Sequence, residues 1–458
     1  MKSKNPTAFA VALASLTLAM PARADVIYSN LLNTAIPLNF EGVTINVNGG
    51  TLNPFFGGVA VANNIALQPL RTNTGGLDTL RNLTFGSTID ASSLYLSSGD
   101  GGSQDHLGNT FTAGQEGYIG YKLNGADYGW MRVIFTNNTG GAMVKDWAYD
   151  NSGAAINVGG IRQVGQDAIL SSSFTLASSL ADSGGATNLL KNSAGTNTLT
   201  ATNTYTGATT ISSGTLAIGT GGSINASSGV TINGGTFRYN ASTDLTRTVT
   251  FTSGTVGGTN LAGTLGGLDI DAGRTLSPGS SNTGTGTAAT TSQTWSGGGT
   301  YQFEISNATG SAGNSTGWDL LAGSGSLSIS ANSGSKFNID IEALGINLGA
   351  VNFNEMSSYQ WLIADFSSVS GFTADAFAID TSGFFDVTPG AFAVALGDSP
   401  SISGGDNTQI YLTYTAAPIP EPRAMVLAAL GALALLRRAR RREHGAPEWP
   451  FKDGHSTK

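Results

Sequence analysis

Residues 194–219 read AGTNTLTATNTYTGATTISSGTLAIG and carry the strongest structural signal in the chain. Apolar residues alternate in this segment with Thr and Ser, a period of two that is typical of β-strands. A triplet of Gly, Thr and an apolar residue recurs at spacings of 21 and 19 residues: Gly214-Thr215-Leu216, Gly235-Thr236-Phe237 and Gly254-Thr255-Val256. A period of about 20 residues suits one coil of a β-solenoid, in which each coil buries an inward stripe against the next. We therefore predict an all-β fold with a central parallel β-solenoid over residues 168–285.

Nine apolar residues of this segment are predicted to point inward. They are Leu199, Ile211, Leu216, Ile218, Val230, Ile232, Phe237, Val249 and Phe251. Disorder is the alternative for a Gly/Ser/Thr-rich segment, but the 40% of hydrophobic residues in the chain supply enough apolar surface to bury. Leu276-Ser277-Pro278-Gly279 contains a Pro-Gly turn signal, which we expect to close the regular repeats.

Residues 194–219 resemble the autotransporter-associated β-strand repeat, also called the passenger-associated transport repeat. The resemblance implies that the repeat is a right-handed parallel β-helix scaffold in an exported protein. It covers one copy, and the later coils are degenerate.

Strand signals also flank the repeat. In the region 25–160 we predict a β-sandwich-like domain, in which residues 40–47 alternate and then meet the turn Asn48-Gly49-Gly50. Residues 118–123 and 130–135 are predicted to pair through the turn at 124–127. In the region 290–416 we predict a β-rich module that caps the solenoid, either as a sandwich or as its broadened end. Its predicted strands lie at 301–305, 337–341, 359–363 and 410–414.

Composition restricts the function classes. The chain has 458 residues, 64 of them glycine, and no cysteine, which excludes disulfides and thiolate metal sites. Between Asp25 and Ala417, 26 acidic residues outnumber 11 basic ones, a formal charge of −15. An acidic body repels phosphate backbones, so nucleic acid is not expected as a partner.

The first 24 residues have the pattern of a secretory signal peptide. Two lysines precede a mostly apolar run, which ends in Ala22-Arg23-Ala24. Such an A-x-A site is typical of signal cleavage, with Ala22 and Ala24 as the small residues read by the peptidase and Asp25 as the first mature residue. We therefore expect export through the inner membrane.

Residues 418–442 combine a proline-rich motif, an apolar run and a basic cluster. Pro420-Glu421-Pro422 precedes the unbroken apolar run 424–436, which as a helix would be roughly 20 Å long, short of the roughly 30 Å hydrocarbon core. Snorkelling arginines can absorb part of this mismatch and would orient the following residues toward the cytoplasm. The basic cluster that flanks this predicted short transmembrane helix consists of Arg437, Arg438, Arg440, Arg441 and Arg442. A polar and basic tail, 443–458, follows.

This C-terminal segment resembles the PEP-CTERM protein-sorting domain, with Pro420, Glu421 and Pro422 in the place of its recognition motif. The resemblance implies processing by an exosortase-type membrane protease and transfer to the cell surface. Arg423 stands where the family usually has a small hydroxyl residue. A plain membrane anchor is the alternative. The segments GYIGYKLNGADYGWMRVIFTN and DWAYDNSGAAINVG resemble a module at the front of many secreted PEP-CTERM proteins.

The sequence offers little material for catalysis. His106 is the single histidine before the anchor, which leaves almost nothing for a catalytic triad or a multi-histidine metal site. Asp100 and Asp105 in the same turn-rich segment could supply oxygen ligands to calcium, though a solvated loop is the simpler interpretation. We expect no catalytic residues, no metal and no cofactor.

Two carboxylates are the minimum for glycoside cleavage, and the candidates are Glu116, Asp127, Asp146 and Asp150. Aromatic residues that could stack on sugars, or else form core, are Tyr121, Tyr128, Trp130, Trp147 and Tyr149. The first hypothesis is an exported, non-catalytic surface or matrix-associated structural protein that operates among exopolysaccharides. A carbohydrate-binding or adhesive protein and a polysaccharide-active enzyme are the alternatives.

Overall fold

The computed structural model describes residues 25–72, 80–95, 110–259, 268–279, 281, 284–345, 349–384, 390–397, 407–417 and 430–437. Within these ranges the chain is all-β, as predicted, with 32 strands. Short 3-10 helices lie at Phe56–Gly58 and Ala374–Ala376, and residues 430–437 form a helix. None of the described helices is long and apolar enough to cross a membrane.

Fifteen strands precede the repeat. They are β1 (Asp25–Tyr28), β2 (Thr34–Ala35), β3 (Ile45–Val47), β4 (Gly50–Phe55), β5 (Ala60–Asn63), β6 (Leu67–Pro69), β7 (Asn82–Leu83), β8 (Thr88–Ile89), β9 (Glu116–Leu123), β10 (Asp127–Ile134), β11 (Met143–Asp150), β12 (Ile156–Asn157), β13 (Ile161–Val164), β14 (Asp167–Leu170) and β15 (Phe174–Leu176). The predicted hairpin is confirmed, because β9 and β10 pair antiparallel from Leu123↔Asp127 onward. Residues 124–126 connect the two strands, and Asn124 and Gly125 have φ 49° and 81°, left-handed values that Asn and Gly adopt readily.

The β9–β10 hairpin is buried on both faces. One face packs with β3, β4 and β5 in a core that includes Val47, Leu52 and Ile119, while the other places Tyr118 and Trp130 in the main core. The strand predicted at residues 40–47 is present only as β3, so its first half was wrong. Gly42 has φ +63°, a left-handed value that a β-strand does not contain, so the strand begins only after it.

The repeat forms a ladder of parallel strands. It consists of β16 (Asn188–Leu199), β17 (Thr209–Ile218), β18 (Val230–Tyr239), β19 (Val249–Gly258), β20 (Leu268–Ile270) and β21 (Arg274–Pro278), of which all but β20 belong to one sheet. Thr215 pairs with Thr236, and Thr236 with Thr255, so the three Gly-Thr-apolar triplets lie side by side. Eight of the nine predicted inward residues are buried, and Val249 is partly buried against the same core.

Eleven further strands complete the chain. They are β22 (Thr287–Thr290), β23 (Gln293–Trp295), β24 (Thr300–Ile305), β25 (Leu320–Gly323), β26 (Ser326–Ile329), β27 (Phe337–Ala343), β28 (Tyr359–Asp365), β29 (Ser368–Ser370), β30 (Phe377–Gly383), β31 (Ala391–Gly397) and β32 (Gln409–Thr415). The four strands predicted in this region therefore exist. The expectation that Pro278 closes the repeats is wrong, because β21 pairs in parallel with β24. Pro278 ends β21, but the inward-facing residues of the next coil can still pack against those of β21.

Parallel pairing continues in three sheets after the repeat. The sheets are β20–β23–β26–β29, β21–β24–β27–β30 and β22–β25–β28, and the chain visits them in that order, one strand each, coil after coil. The antiparallel strands β32 and β31 then extend the third sheet. One core cluster of buried residues extends from Val26 to Tyr414 across all these elements. The domain limits given by the sequence analysis remain predictions.

Candidate functional site

Of the four candidate carboxylates, Asp146 on β11 is fully buried, and both of its oxygens accept hydrogen bonds. Its side chain accepts hydrogen bonds from Arg132 at 2.8 and 2.6 Å and from the hydroxyl of Tyr28 at 2.7 Å. Arg132 also donates to the carbonyl of Gln163 at 2.6 Å, so β1, β10, β11 and β13 are joined at one point. Burial raises the pKa of Asp146, and Arg132 opposes this effect. The arrangement is a structural clamp, because no side of this carboxylate faces solvent.

The other three candidates do not form a free pair with it. Asp150 accepts hydrogen bonds from the backbone of Ser152 and Ala154 at 2.9 Å and thereby holds the turn after β11. Glu116 lies 3.6 Å from Arg132 at the surface. Asp127 is partly buried, and burial followed by repulsion from Asp150 raises its pKa. Asp150 and Glu116 therefore make local structural contacts, which weighs against a catalytic pair at these positions.

The aromatic candidates are core residues. Trp130 and Tyr121 are fully buried, Tyr128 and Tyr149 nearly so, and Trp147 is half-buried against the smaller core. The ring of Trp130 packs edge-on against Tyr118, with 5.9 Å between centroids. None of the four buried rings can stack on a sugar.

Several predicted site residues lie outside the described residues. These are Ala22, Ala24, Asp100, Asp105, His106, Pro420, Glu421, Pro422, Arg438, Arg440, Arg441 and Arg442. Arg437 is the last described residue of helix 430–437 and is exposed. Within the described ranges, no group of three or more His, Cys, Asp or Glu residues is placed to hold a metal ion.

An acidic groove on the parallel sheet was missed by the sequence analysis. Its volume is about 550 Å³, and it is lined by Thr300, Asn338, Asp340, Ala378, Ile379 and Asp380. Asp340 and Asp380 are direct neighbours in the register of β27 and β30. Burial and then the charge of Asp380 raise the pKa of Asp340, whereas hydrogen bonds from Ser382 lower that of Asp380. The signal was present in the sequence, since Phe-Asn-Ile-Asp at 337–340 recurs as Phe-Ala-Ile-Asp at 377–380.

A buried charged cluster was also missed. Arg238, Glu304 and Asp319 are each at most 1% exposed in the interior of the parallel stack. The two oxygens of Asp319 accept the backbone N–H groups of Gly286 at 2.8 Å and of Glu304 at 3.0 Å. Burial lowers the pKa of Arg238 to about 10 against the opposing charges of Glu304 and Asp319, so the guanidinium stays protonated at neutral pH.

Comparison with known families identifies one match. The family described as passenger-associated-transport-repeat matches residues 189–218. These residues begin in β16 and end with the last residue of β17, so the match covers one unit of two stacked strands. A search of the curated proteins found no match. The chain therefore carries, at residues 189–218, a segment similar to the passenger-associated transport repeat.

Proposed function

We propose that this chain is an exported, non-catalytic structural protein of the cell surface or extracellular matrix. The observation that carries the proposal is the match to a passenger-associated transport repeat, which coincides with the β16–β17 pair at the start of the parallel ladder. A scaffold of stacked strands supports an extended exported body without requiring a reactive site.

The finer form of the proposal is a right-handed β-solenoid. It is supported by the order in which the chain visits the three parallel sheets, since one strand per sheet and per coil is how a solenoid is built. The partner spacing grows from 21 residues at Thr209↔Val230 to 40 at Phe337↔Phe377, which favours the broadened-end interpretation of the C-terminal module. The right hand is what the family resemblance implies.

The non-catalytic part of the proposal is supported by the engagement of Asp146 and Asp150 in structural hydrogen bonds. An enzyme acting on polysaccharide is the remaining alternative, with Asp340 and Asp380 as its two carboxylates. A screen for new reducing ends or unsaturated products with the purified chain tests it, and turnover lost on Asp340→Asn would replace the structural proposal.

Export and sorting complete the proposal. Cleavage after Ala24, recognition of Pro420-Glu421-Pro422 by an exosortase-type protease and temporary membrane attachment through residues 424–436 are inferred from the sequence. Cell fractionation with mass spectrometry of both mature termini tests these steps together. We expect Asp25 as the first residue and a C-terminus near Glu421 in surface material. Intact chain in the cytosol would contradict the proposal.

Carbohydrate binding is the second candidate, and the acidic groove favours it. Asn338, Asp340 and Asp380 present amide and carboxylate groups that can hydrogen-bond sugar hydroxyls in a space of about 550 Å³. Affinity electrophoresis against exopolysaccharides should show retardation that is lost on Asp380→Asn. Asp375→Asn is the matched control, because Asp375 is an exposed acid before β30 and outside the groove. Unchanged retardation in both variants would argue against the groove.

A further inference from the structure

Three phenylalanines form an aromatic cluster at the surface of the N-terminal region. The ring centroids of Phe40 and Phe55 are 5.4 Å apart, those of Phe55 and Phe56 5.4 Å, and those of Phe40 and Phe56 6.2 Å. Phe40 is 73% exposed, and Leu38 beside it is 47% exposed. We call Phe40, Phe55 and Phe56 the aromatic triad. None of its members belongs to either hydrophobic core or packs against one.

The backbone of the triad is strained at Phe56, whose ring, like that of Phe55, is partly buried, whereas the Phe40 ring is exposed. Phe56 has φ 52°, in the left-handed region, and every other described non-glycine residue with positive φ is an asparagine. A bulky residue keeps this unfavourable conformation only where the surroundings impose it. Strain of this kind next to the exposed ring of Phe40 points to a role other than folding.

The surrounding structure does impose it. Gly57 and Gly58 follow at φ 66° and 89°, and a Cβ at Gly58 would lie 2.0 Å from the ring of Phe135. The backbone N–H of Gly57 donates to Pro37 at 3.0 Å, and the N–H of Thr136 donates to Gly57 at 2.8 Å. The turn that carries Phe55 and Phe56 is therefore held against the segment that follows β10.

The apolar side chains of the aromatic triad favour an apolar binding partner. The members of the triad offer no hydrogen-bonding side chain, so recognition is non-directional and comes from burial of apolar surface. The body around it carries a formal charge of −15, which disfavours anionic surfaces. The same chain exposes a second apolar element, helix 430–437, with Leu430, Leu433, Leu435 and Leu436 each more than half exposed. A lipid bilayer accommodates both elements in one medium.

We propose that the aromatic triad inserts into the surface of a zwitterionic lipid bilayer and gives the N-terminal end its own membrane contact. The choice of a bilayer rests in part on the proposed membrane attachment of residues 424–436. The triad and the C-terminal anchor would then hold the stack at two points. Burial of the exposed Phe40 ring in the bilayer should strengthen binding about tenfold, and Phe55 and Phe56, which are already partly buried, contribute less.

The absence of cysteine allows a position-specific test on the full chain. Single substitutions Glu41→Cys, Ile65→Cys and Leu433→Cys are labelled with an environment-sensitive fluorophore and titrated with phosphatidylcholine vesicles. Glu41 is exposed beside the triad, and Ile65 is the matched control, 74% exposed and outside the triad. We expect the label at position 41 to enter an apolar environment and the label at 65 to remain in water. Adding Phe40→Ser should lower the inserted population at position 41 about tenfold, with unchanged thermal unfolding.

The possible outcomes distinguish the membrane contact of the aromatic triad from the membrane attachment of the C-terminal segment. A response at position 433 without one at 41 overturns the triad proposal and leaves the C-terminal anchor standing, and the reverse result does the opposite. Equal responses at 41 and 65 also overturn it, as does concentration-dependent self-association lost on Phe40→Ser, which would make a second copy of the chain the occupant.

Discussion

Arg238 on β18 donates from Nη1 to the carbonyl oxygen of Ser277 on β21 at 2.6 Å, across the intervening strand β19. A second hydrogen bond of 2.8 Å runs from Nη2 to the Ser277 hydroxyl. The guanidinium is 1% exposed and lies among the charges of Glu304 and Asp319. One side chain thus ties together coils that do not touch each other directly.

The Arg238→Met substitution should destabilise the fold by about 3–5 kcal/mol. Removing one partner of a buried ionic cluster leaves the remaining carboxylates without compensation. The free energy of unfolding in urea measures the effect. Arg274→Met is the control, because Arg274 is partly exposed and pairs with Asp271 at 3.0 Å, so we expect a loss of about 1 kcal/mol or less. Equal losses in the two variants would contradict a special role for Arg238.

The Gly257→Ala substitution should also destabilise the fold, because there is no space for the added methyl group. A Cβ at Gly257 would meet the Ser277 carbonyl oxygen at 2.0 Å and Arg238 Nη1 at 2.4 Å. Overpacking of this kind costs about 1–3 kcal/mol, and more where backbone must move. Gly229→Ala is the matched control in the same stack, since its Cβ would find only the Thr248 carbonyl at 3.5 Å. The free energies of unfolding of both variants are compared by urea denaturation. An unchanged stability of Gly257→Ala would show that the Arg238 side chain can adopt another conformation.

The buried carboxylate of Asp319 should make the fold less stable as the pH rises. Burial raises its folded-state pKa well above the ordinary value, so its stabilising contribution is complete below about pH 4 and is lost as the pH rises through the folded pKa. In urea titrations from pH 4 to 8, the stability of the wild type should therefore fall relative to that of Asp319→Asn. Parallel pH profiles would show that Asp319 does not titrate in this range.

Asp182 provides a control of opposite sign. Hydrogen bonds from the backbone of Thr187 and from Thr206 lower its pKa. Its contribution is present above about pH 4 and is lost as the pH falls through the lowered folded pKa. Relative to Asp182→Asn, the wild type should therefore lose stability on acidification, with the same assay as readout.

The Ile232→Ala substitution tests the inward stripe. Ile232 is fully buried between Ile211 and Phe251 in the register of β17, β18 and β19. Truncation should cost about 2–5 kcal/mol through lost burial and a residual cavity. Thr250→Ala on the exposed face should change the free energy of unfolding by about 0.5 kcal/mol or less. A small loss for Ile232→Ala would mean that the coils are not packed through this stripe.

Much of the fold follows from local alternation. The Gly-Thr-apolar triplets gave the correct register because Thr215, Thr236 and Thr255 occupy one row of the ladder. Alternation also located the inward residues of β17 and β18. These properties are local, since the face on which a side chain lies is fixed by its position in its own strand.

The buried charged residues could not be predicted from alternation. Lys191 occupies an inward position between Leu170 and Ile211, and its amine donates to the carbonyl of Ser193. Arg238 donates to Ser277, 39 residues further along the chain, and Glu304 accepts from the N–H of Gly284, 20 residues before it, so the contacts that compensate these charges are not local. In an alternating apolar pattern, such a charged residue only breaks the pattern. The pattern does not show which groups neutralise or hydrogen-bond the buried charge.

The acidic groove was missed for a related reason. Asp340 and Asp380 are 40 residues apart, and a period of about 20 places a whole further coil between them, so they were not recognised as neighbours. Their proximity depends on the length of the coil between β27 and β30, which is set by the loops.

The reach of Arg238 bears on how the molecule can change length in evolution. Between β16 and β18, gain or loss of one whole coil by duplication or deletion would leave each strand beside a similar neighbour. An extra coil between β18 and β21 would instead move Ser277 one strand spacing further away, about 4.8 Å, beyond the reach of the guanidinium. Natural size variants of this chain should therefore differ in coil number before β18 and keep the segment from Arg238 to Ser277 constant.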